Sequence, residues 1–326
     1  MISVERPARA SRDSRYPESA PIVPLTAATT AMGGRLVVHL DARADDERAN
    51  RDARRALARI GRWADRLSRH REQSELTALN ADARGLVPVG PTLAAALWAA
   101  QEAARDSECL VDITLLDARL AAEGLTCAEI AGEAPRIWSL ASGPRRMAVV
   151  SRPAGVRFDL GGVAKGWLAD RALGLLSGWP GAVVDADGDL ALRCRAGATW
   201  AVAVDDPRTD GATLAILHLS APAAGWSAQW GVATSGTSIH RWRRGAIVGH
   251  HLIDPRTGAP ARTDVVQATV VCGSALRAEA LAKTAVIAGS RDGLALLERA
   301  GVKGAVILTE SGETLALPQT LSLLAG

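Results

Sequence analysis

The stretch FDLGGVAKGWLADRA, residues 158–172, brings together an acid, two adjacent glycines and a lysine between a strand-like run and an amphipathic helix. A helix that begins near Val163 would direct its free N–H groups at the preceding loop, where they favour an anion. Gly161 and Gly162 would let a ligand approach the backbone, and Lys165 lies one turn into the helix. The pattern suits a phosphate site, but it suits an ordinary glycine-rich connection equally well, because it lacks P-loop or dinucleotide-fold spacing.

A second candidate is HHLIDPRTGAP, residues 250–260, where a strand runs into a turn that contains Asp, Pro and Gly. Turn formation alone accounts for these three residue types. It does not account for two histidines, and histidine is the side chain that exchanges a proton most readily near neutral pH. Because neighbours on a strand point to opposite faces, only one of His250 and His251 can face a given pocket.

Two further stretches contain candidate ligands. GVATSGTS ends a strand with Ser235 and Gly236, small residues that suit close contact with a ligand, but it lacks the G-x-S-x-G pattern of a serine nucleophile. In RAEALAKTAVIAG, Glu279 and Lys283 are one helical turn apart and could form a surface ion pair, or the carboxylate could bind a hard cation. DADGD, residues 185–189, lacks the later positions of a calcium loop and is interpreted as a turn.

The elements that must position these residues are strands interrupted by helices. RLVVHLDA reads as a strand, and an amphipathic helix follows it from about Ala44 to Arg69. Further helices are predicted over residues 91–107, 163–176 and 274–288, and short strands alternate with turns from Met147 onward. This order predicts an α+β fold with mixed or largely antiparallel sheets and flanking helices, in one large two-lobed domain.

Composition excludes several classes of function. The net charge of +3 over 326 residues is small, and no basic stripe with aromatic residues suggests nucleic-acid binding. The four cysteines form no C-x-x-C pair, which argues against a zinc site or a disulfide scaffold, and no apolar run is long enough to span a bilayer. Residues 1–30 are rich in Pro, Ser and Arg and lack a signal-peptide core, so we expect a disordered leader, a folded domain over 31–326 and a cytoplasmic location.

Taken in chain order, the segments resemble the ApbE family, the FAD:protein FMN transferases. DLGGVAKG and HLIDPRTG are the specific pieces, and the resemblance extends from about residue 31 to the C-terminus. The complete set is Met32-Gly33, SELTALN from Ser74, DIT from Asp112, DLGGVAKG from Asp159, VDADGD from Val184, ATSG from Ala233, HLIDPRTG from His251 and AEALAK from Ala278.

The resemblance implies a reaction that splits FAD at its pyrophosphate, attaches FMN to a Thr or Ser hydroxyl of an acceptor protein and releases AMP. It implies that His251 is the base for the incoming hydroxyl. The residues that it implies around FAD are Met32, His70, Val111, Asp112, Ile113, Asp159, Lys165, Ser235, Gly236 and Ile253. For a Mg²⁺ ion it implies the carbonyl of Gly162, the carboxylate of Glu279 and the position of Lys283.

The chain departs from the family pattern at several of these positions. His70 replaces a tyrosine and Ile113 replaces a proline, while Glu279 replaces an aspartate and Lys283 replaces the threonine of many members. A protonated lysine cannot ligate a metal and would repel it. Either Mg²⁺ binds with fewer protein ligands, which is the expectation that we favour from the sequence, or Lys283 supplies the positive charge itself.

Two alternatives to the transferase remain open on these residues. The same pocket could hydrolyse FAD to FMN and AMP, with water in place of the acceptor hydroxyl. A chain with altered metal-site residues could also be an FAD-binding carrier that has lost the chemistry, although such a carrier would not need His251.

Overall fold

The computed structural model describes residues 2–5, 25–125, 137–143, 147–222, 228–238, 241–244 and 247–324. The strands are β1 (Ile2–Glu5), β2 (Leu25–Ala31), β3 (Gly34–Leu40), β4 (Leu86–Val89), β5 (Ser139–Ser142), β6 (Ala148–Ser151), β7 (Ala182–Ala186), β8 (Asp189–Cys194), β9 (Thr199–Asp205), β10 (Thr213–Ser220), β11 (Ala228–Gly236), β12 (Arg241–Arg244), β13 (Ile247–His250), β14 (Ile253–Asp254), β15 (Ala259–Pro260), β16 (Val265–Cys272), β17 (Gly304–Thr309) and β18 (Thr314–Ala316). The helices are α1 (Glu47–Leu67), α2 (Glu75–Ala81), α3 (Pro91–Asp106), α4 (Leu116–Glu123), α5 (Ala164–Leu175), α6 (Ala275–Ala288), α7 (Ser290–Arg299) and α8 (Leu321–Leu324).

An eight-stranded antiparallel sheet organises the molecule, in the order β18-β17-β16-β11-β8-β7-β3-β2. Smaller antiparallel sheets are β1-β9-β10 and β4-β6-β5, and two hairpins, β12–β13 and β14–β15, follow later in the chain. This arrangement confirms the predicted α+β class with largely antiparallel sheets.

Side-chain alternation places a different core on each face of the large sheet. Val183 packs with the apolar residues of β9 and β10, whereas its neighbour Val184 packs with the helices α1, α3 and α5. On β8, Leu192 belongs to the first cluster and the adjacent Ala191 to the second. Both faces of the sheet are therefore covered, and successive residues of a strand point to different cores.

Two tight turns lie at one end of this sheet. Met32 and Gly33 join β2 to β3, and Asp187 and Gly188 join β7 to β8. All four residues have positive φ, between 55° for Met32 and 91° for Gly188, as a two-residue hairpin loop requires. The DADGD stretch is thus a turn, as the sequence indicates.

Helix α1 illustrates how local chemistry sets the boundaries. Ala49, Ala53, Leu57 and Ile60 are buried at helical spacing. The helix begins three residues later than the pattern suggests, because the side chain of Asp46 caps it by accepting a hydrogen bond from the N–H of Ala49 at 2.9 Å. Among the described residues, no helix is long and apolar enough to cross a bilayer.

The predicted disordered leader over residues 1–30 contains two strands. Leu25–Ala31 is a strand that pairs with β3 at seven positions, and Ile2–Glu5 is a strand that pairs with β9. The Pro- and Arg-rich composition of the whole segment conceals these short runs, because strand pairing depends on a few residues rather than on average polarity. Residues 6–24 lie outside the described residues.

Candidate functional site

A cleft forms where three motif segments converge beside helix α6. It encloses ≈ 550 Å³ of empty space, part of it open to solvent. Its lining contains eight of the fourteen residues that the sequence analysis selects, namely Val111, Asp112, Ile113, Asp159, Gly162, His251, Ile253 and Lys283. Arg119 and Gly161 also contribute, together with the apolar residues Leu110, Leu115, Leu252 and Ile287.

Hydrogen bonds to distant segments hold the loop that carries Asp159, Gly161 and Gly162. The side chain of Asn80 accepts from the N–H of Phe158 and donates to its carbonyl, each at 2.8 Å. The N–H of Asp159 donates to the carbonyl of Ile113 at 2.7 Å. The last residue of the SELTALN segment therefore positions this loop, which explains why that segment accompanies the others.

The carboxylate of Asp159 is surrounded by donors. Its Oδ2 lies 3.0 Å from Nη1 of Arg119 and 3.4 Å from Nε of Arg69, and its Oδ1 accepts from the N–H of Gly161 at 2.9 Å. A Cβ at residue 161 would lie 3.1 Å from that oxygen, so glycine allows the loop to close around the carboxylate. Glu123 completes the cluster at 2.9 Å from Nε of Arg119. Asp159 was predicted from the sequence, whereas neither arginine was.

The two adjacent histidines have different environments. Nε2 of His250 lies 3.1 Å from the carbonyl of Ala261, and its Nδ1 accepts from the N–H of Leu252 at 3.3 Å. Burial lowers the pKa of His250, which favours the neutral ring that these contacts require. His251 lines the cleft instead. The histidine that faces the cleft is thus the one selected from the sequence.

A cluster of two lysines and two carboxylates adjoins the cleft. Nζ of Lys283 lies 2.9 Å from Oε1 of Glu279, and Oε2 of Glu279 accepts from the N–H of Gly166 at 2.8 Å. Nζ of Lys165 lies 3.0 Å from Oδ2 of Asp189. The carboxylate side chains are almost fully buried, with 1% of Glu279 and 2% of Asp189 exposed. We call these four residues the charge cluster.

Lys165 is charged within this cluster. Burial works against its charge, but the nearby carboxylates of Asp189 and Glu279 outweigh burial and raise the pKa of Lys165 above its ordinary value. Its Nζ also lies 3.3 Å from the carbonyl of Asp187 in the β7–β8 turn. Lys165 therefore fixes the first turn of α5 to the end of the large sheet and does not line the cleft.

Helices α5 and α6 are locked together beside the charge cluster. A Cβ at Gly166 would lie 2.6 Å from the carbonyl oxygen of Ala275, so the two backbones can approach only because residue 166 is glycine. The carboxylate of Asp170 accepts from the N–H groups of Ala275 and Leu276, each at 2.9 Å, and thereby caps α6. This contact sets the position of Glu279, one turn further along α6. The contact was not predicted from the sequence.

The remaining selected residues lie outside the cleft lining. Met32 occupies the β2–β3 turn, beside the β7–β8 turn that contacts Lys165. His70 lies at the surface, and partial loss of solvent around its ring, followed by the charge of Arg69, lowers its pKa. Ser235 and Gly236 end β11, where they pair with β16. A Cβ at Gly236 would lie 2.7 Å from the carbonyl of Val266, which gives that glycine a packing role.

The side chains near the cleft do not make a set of metal ligands. Within the described ranges, no three His, Cys, Asp or Glu residues are grouped in a way that could hold a metal ion. Asp112, which lines the cleft, uses Oδ1 to accept from the N–H and the hydroxyl of Thr114 at 2.8 Å and 2.7 Å.

The sequence model of the ApbE family matches residues 32–307 of this chain. Among curated proteins, the FAD:protein FMN transferase of Treponema pallidum is 33% identical over 156 residues, which cover 44% of this chain and 41% of that protein. The enzyme of the same name from Rhodobacter capsulatus is 32% identical over 172 residues, which cover 52% of this chain and 31% of that protein. The matched stretches thus span less than half of these relatives.

Solved structures extend the similarity to the whole fold. The ApbE protein of Thermotoga maritima superposes with a TM-score of 0.76 at 23% identity, covering 93% of this chain and 100% of that one. The apo form of the flavinyl transferase ApbE from Pseudomonas stutzeri gives a TM-score of 0.74 at 22% identity, covering 93% and 98%. At these identities the superposition establishes the shared fold.

Proposed function

This chain belongs to the ApbE family, and we propose that it transfers the FMN half of FAD to a Thr or Ser hydroxyl of an acceptor protein and releases AMP. One observation carries the proposal: His251 and the loop of Asp159 and Gly162, which are distant in sequence, line one cleft. The shared name of the curated relatives supports the same reaction.

The chemistry requires positioning and a proton acceptor. The hydroxyl oxygen of the acceptor residue attacks the phosphorus of the FMN half, and its proton passes to the imidazole of His251. A new P–O bond forms, the bond from that phosphorus to the bridging oxygen breaks, and AMP leaves with the oxygen. Holding the two reactants in line supplies most of such a rate enhancement, and a general base adds roughly 10²–10⁴-fold.

His250 is unsuited to the same role. Both of its ring nitrogens are engaged with the backbone of its own chain. The variant His250→Ala is therefore a useful control for His251→Ala, because both substitutions remove a histidine from the same segment.

The residues at the expected metal position do not fit Mg²⁺. This ion needs several oxygen ligands in near-octahedral geometry. Both carboxylate oxygens of Glu279 are engaged, one by Lys283 and the other by the N–H of Gly166. The lysine ammonium would also repel the ion.

The test uses an extract of the cells that make this protein, with added FAD and purified enzyme. Covalent flavin survives a denaturing gel, so a fluorescent acceptor band that appears together with AMP supports transfer. We expect His251→Ala to abolish the band while FAD still binds, and His250→Ala to retain it. AMP without a labelled acceptor would indicate hydrolysis, and bound FAD without AMP would indicate a carrier; either result would overturn the proposal.

A further inference from the structure

Lysine is rare in this chain and is concentrated at one place. The sequence contains three lysines among 38 basic residues. Two of them, Lys165 and Lys283, belong to the charge cluster beside the cleft. The third, Lys303, lies over the ring of Trp230 with Nζ 4.2 Å from the centroid. Both sites therefore present a compact ammonium, whereas nearly all other positive charge in the chain is the planar guanidinium of arginine.

Lys283 extends from α6 to the loop of the cleft. Its side chain is 14% exposed, and it contributes to the cleft lining. A Cβ at Gly162 would lie 3.7 Å from both Cδ and Cε of Lys283, so the lysine stem runs directly beside this loop. The position of the stem brings the ammonium to the wall of the cleft that the glycine loop forms.

Glu279 holds the ammonium in place without exhausting its donors. A lysine ammonium carries three N–H donors, and the contact with Oε1 of Glu279 at 2.9 Å uses one of them. The other carboxylate oxygen is fixed by the N–H of Gly166. The geometry is that of a positioned cation with donor capacity left for a phosphate oxygen.

The charges around the cleft leave a role for such a cation. Lys165 pairs with Asp189, and Arg69 and Arg119 pair with Asp159. A pyrophosphate ester is a doubly charged anion, and its oxygens are poorly tolerated in a partly buried cleft without compensating positive charge. Arg119 also lines the cleft and adjoins the glycine loop, but two carboxylates already bind its guanidinium. Lys283 lines the cleft and adjoins the same loop with a single carboxylate partner among the described residues.

We propose that the ammonium of Lys283 binds the pyrophosphate of FAD directly and takes the place of a divalent cation, so that binding does not depend on added metal. The inference rests on the proposed function only in taking FAD as the ligand. Any nucleoside diphosphate offers the same phosphate chemistry, and ADP is therefore the second probe.

The first experiment needs no variant. Binding of FAD and of ADP to the chelator-treated full-length protein is measured by calorimetry in EDTA and again with Mg²⁺. We expect the same affinity in both conditions. Parallel labelling with an amine reagent, read by mass spectrometry, should show Lys283 protected by ADP in EDTA and Lys303 labelled equally with and without the nucleotide.

Variants then distinguish the effect of removing the charge of Lys283 from an effect of disturbing the fold. Lys283→Met retains the stem but removes the charge, and we expect it to weaken binding of FAD and ADP by about 10- to 100-fold, as loss of a charge-assisted hydrogen bond does. Because this change leaves Glu279 buried without its partner, the double variant Lys283→Met with Glu279→Gln provides a neutral background that should fold and show the same loss. Lys303→Met is the matched control, with unchanged affinity.

The outcomes distinguish this inference from the proposed function. Binding that requires Mg²⁺, or a folded double variant with undiminished affinity, would overturn the role of Lys283 and leave the transferase proposal intact. Metal-independent binding that needs Lys283, without AMP release or acceptor labelling, would sustain this inference and overturn the transferase. Absence of FAD and ADP binding in every condition would overturn both.

Discussion

Asn80 shows how a single side chain positions the loop of Asp159 without entering the cleft. It makes two hydrogen bonds of 2.8 Å to the backbone of Phe158. Asn80→Ala leaves a partly buried N–H and carbonyl without these partners, at a cost of about 1–3 kcal/mol in the free energy of unfolding. We also expect weaker FAD binding, because the loop of Asp159 loses its anchor.

Thermal unfolding and calorimetric titration with FAD measure the two effects of Asn80→Ala. Asn50→Ala is the control, since Asn50 contacts Arg54 on the exposed face of α1. We expect it to leave FAD affinity unchanged. Equal affinities for FAD in the wild type and Asn80→Ala would show that the loop keeps its geometry without the two hydrogen bonds from Asn80.

At the scale of elements, the contact between α5 and α6 determines where the charge cluster lies. Gly166→Ala would bring a methyl group within 2.6 Å of the carbonyl oxygen of Ala275, and the helices must separate to relieve the overlap. We expect lower stability together with weaker FAD binding, because α6 carries Lys283. Gly174→Ala is the control on the same helix.

Alanine substitutions at the two glycines of α5 should change the melting temperature in opposite directions. A Cβ at Gly174 meets nothing within 4 Å, and alanine is a better helix former than glycine by about 1 kcal/mol. Gly174→Ala should therefore raise the melting temperature and leave FAD affinity unchanged, whereas Gly166→Ala should lower both. Similar melting temperatures for the two variants would contradict the close packing of α5 against α6.

Asp170, which caps α6, makes stability depend on pH. Burial raises its pKa to about 6, despite two backbone N–H donors. Between its unfolded value near 3.8 and about 6, the folded state binds more protons than the unfolded chain, so stability falls as pH rises through this window. The shift corresponds to a loss on the order of 3 kcal/mol from pH 4 to pH 7.

Asp170→Asn removes this titration and retains one oxygen acceptor for the cap. The difference in unfolding free energy between wild type and variant, measured by urea titration at several pH values, should move in favour of the variant as pH rises from 4 to 7. A difference that stays constant over this range would mean that Asp170 is not held in a site that opposes its charge.

At the scale of the whole molecule, the order of the motif segments and the strand-helix pattern were sufficient for the fold class. The motif segments also identified His251, Gly162 and Lys283, which lie in one cleft of the structure. Arg69 and Arg119 were not predictable, because all but three of the 38 basic residues are arginine and an individual arginine carries no pattern.

Other contacts escaped prediction for a different physical reason. Asp170 bonds to backbone groups 105 and 106 residues away. Such a contact arises from the crossing of two helices, and no local periodicity encodes it. The strand at Leu25–Ala31 was missed because its short Ala- and Thr-rich run adjoins the Pro- and Arg-rich segment, and its pairing with β3 depends on a partner strand.

The short strand β1 forms one edge of the three-stranded sheet β1-β9-β10, away from the cleft. Ile2–Glu5 pairs with β9 at four positions, and β10 occupies the other side of β9. Deleting residues 1–5 would move this edge of the sheet from the four-residue strand β1 to the seven-residue strand β9, and longer exposed edges promote association between chains. None of the residues that line the cleft comes from β1, β9 or β10.

We therefore expect the deletion to separate solubility from ligand binding. Light scattering should detect increased self-association that grows with protein concentration, while the FAD affinity of the monomeric fraction stays at the wild-type value. A variant with threonine at each of residues 2–5 keeps the backbone donors of the strand and should remain monomeric. Loss of FAD affinity in the deleted chain would instead connect β1 to the cleft, through a rearrangement of the large sheet on which β9 and β10 pack.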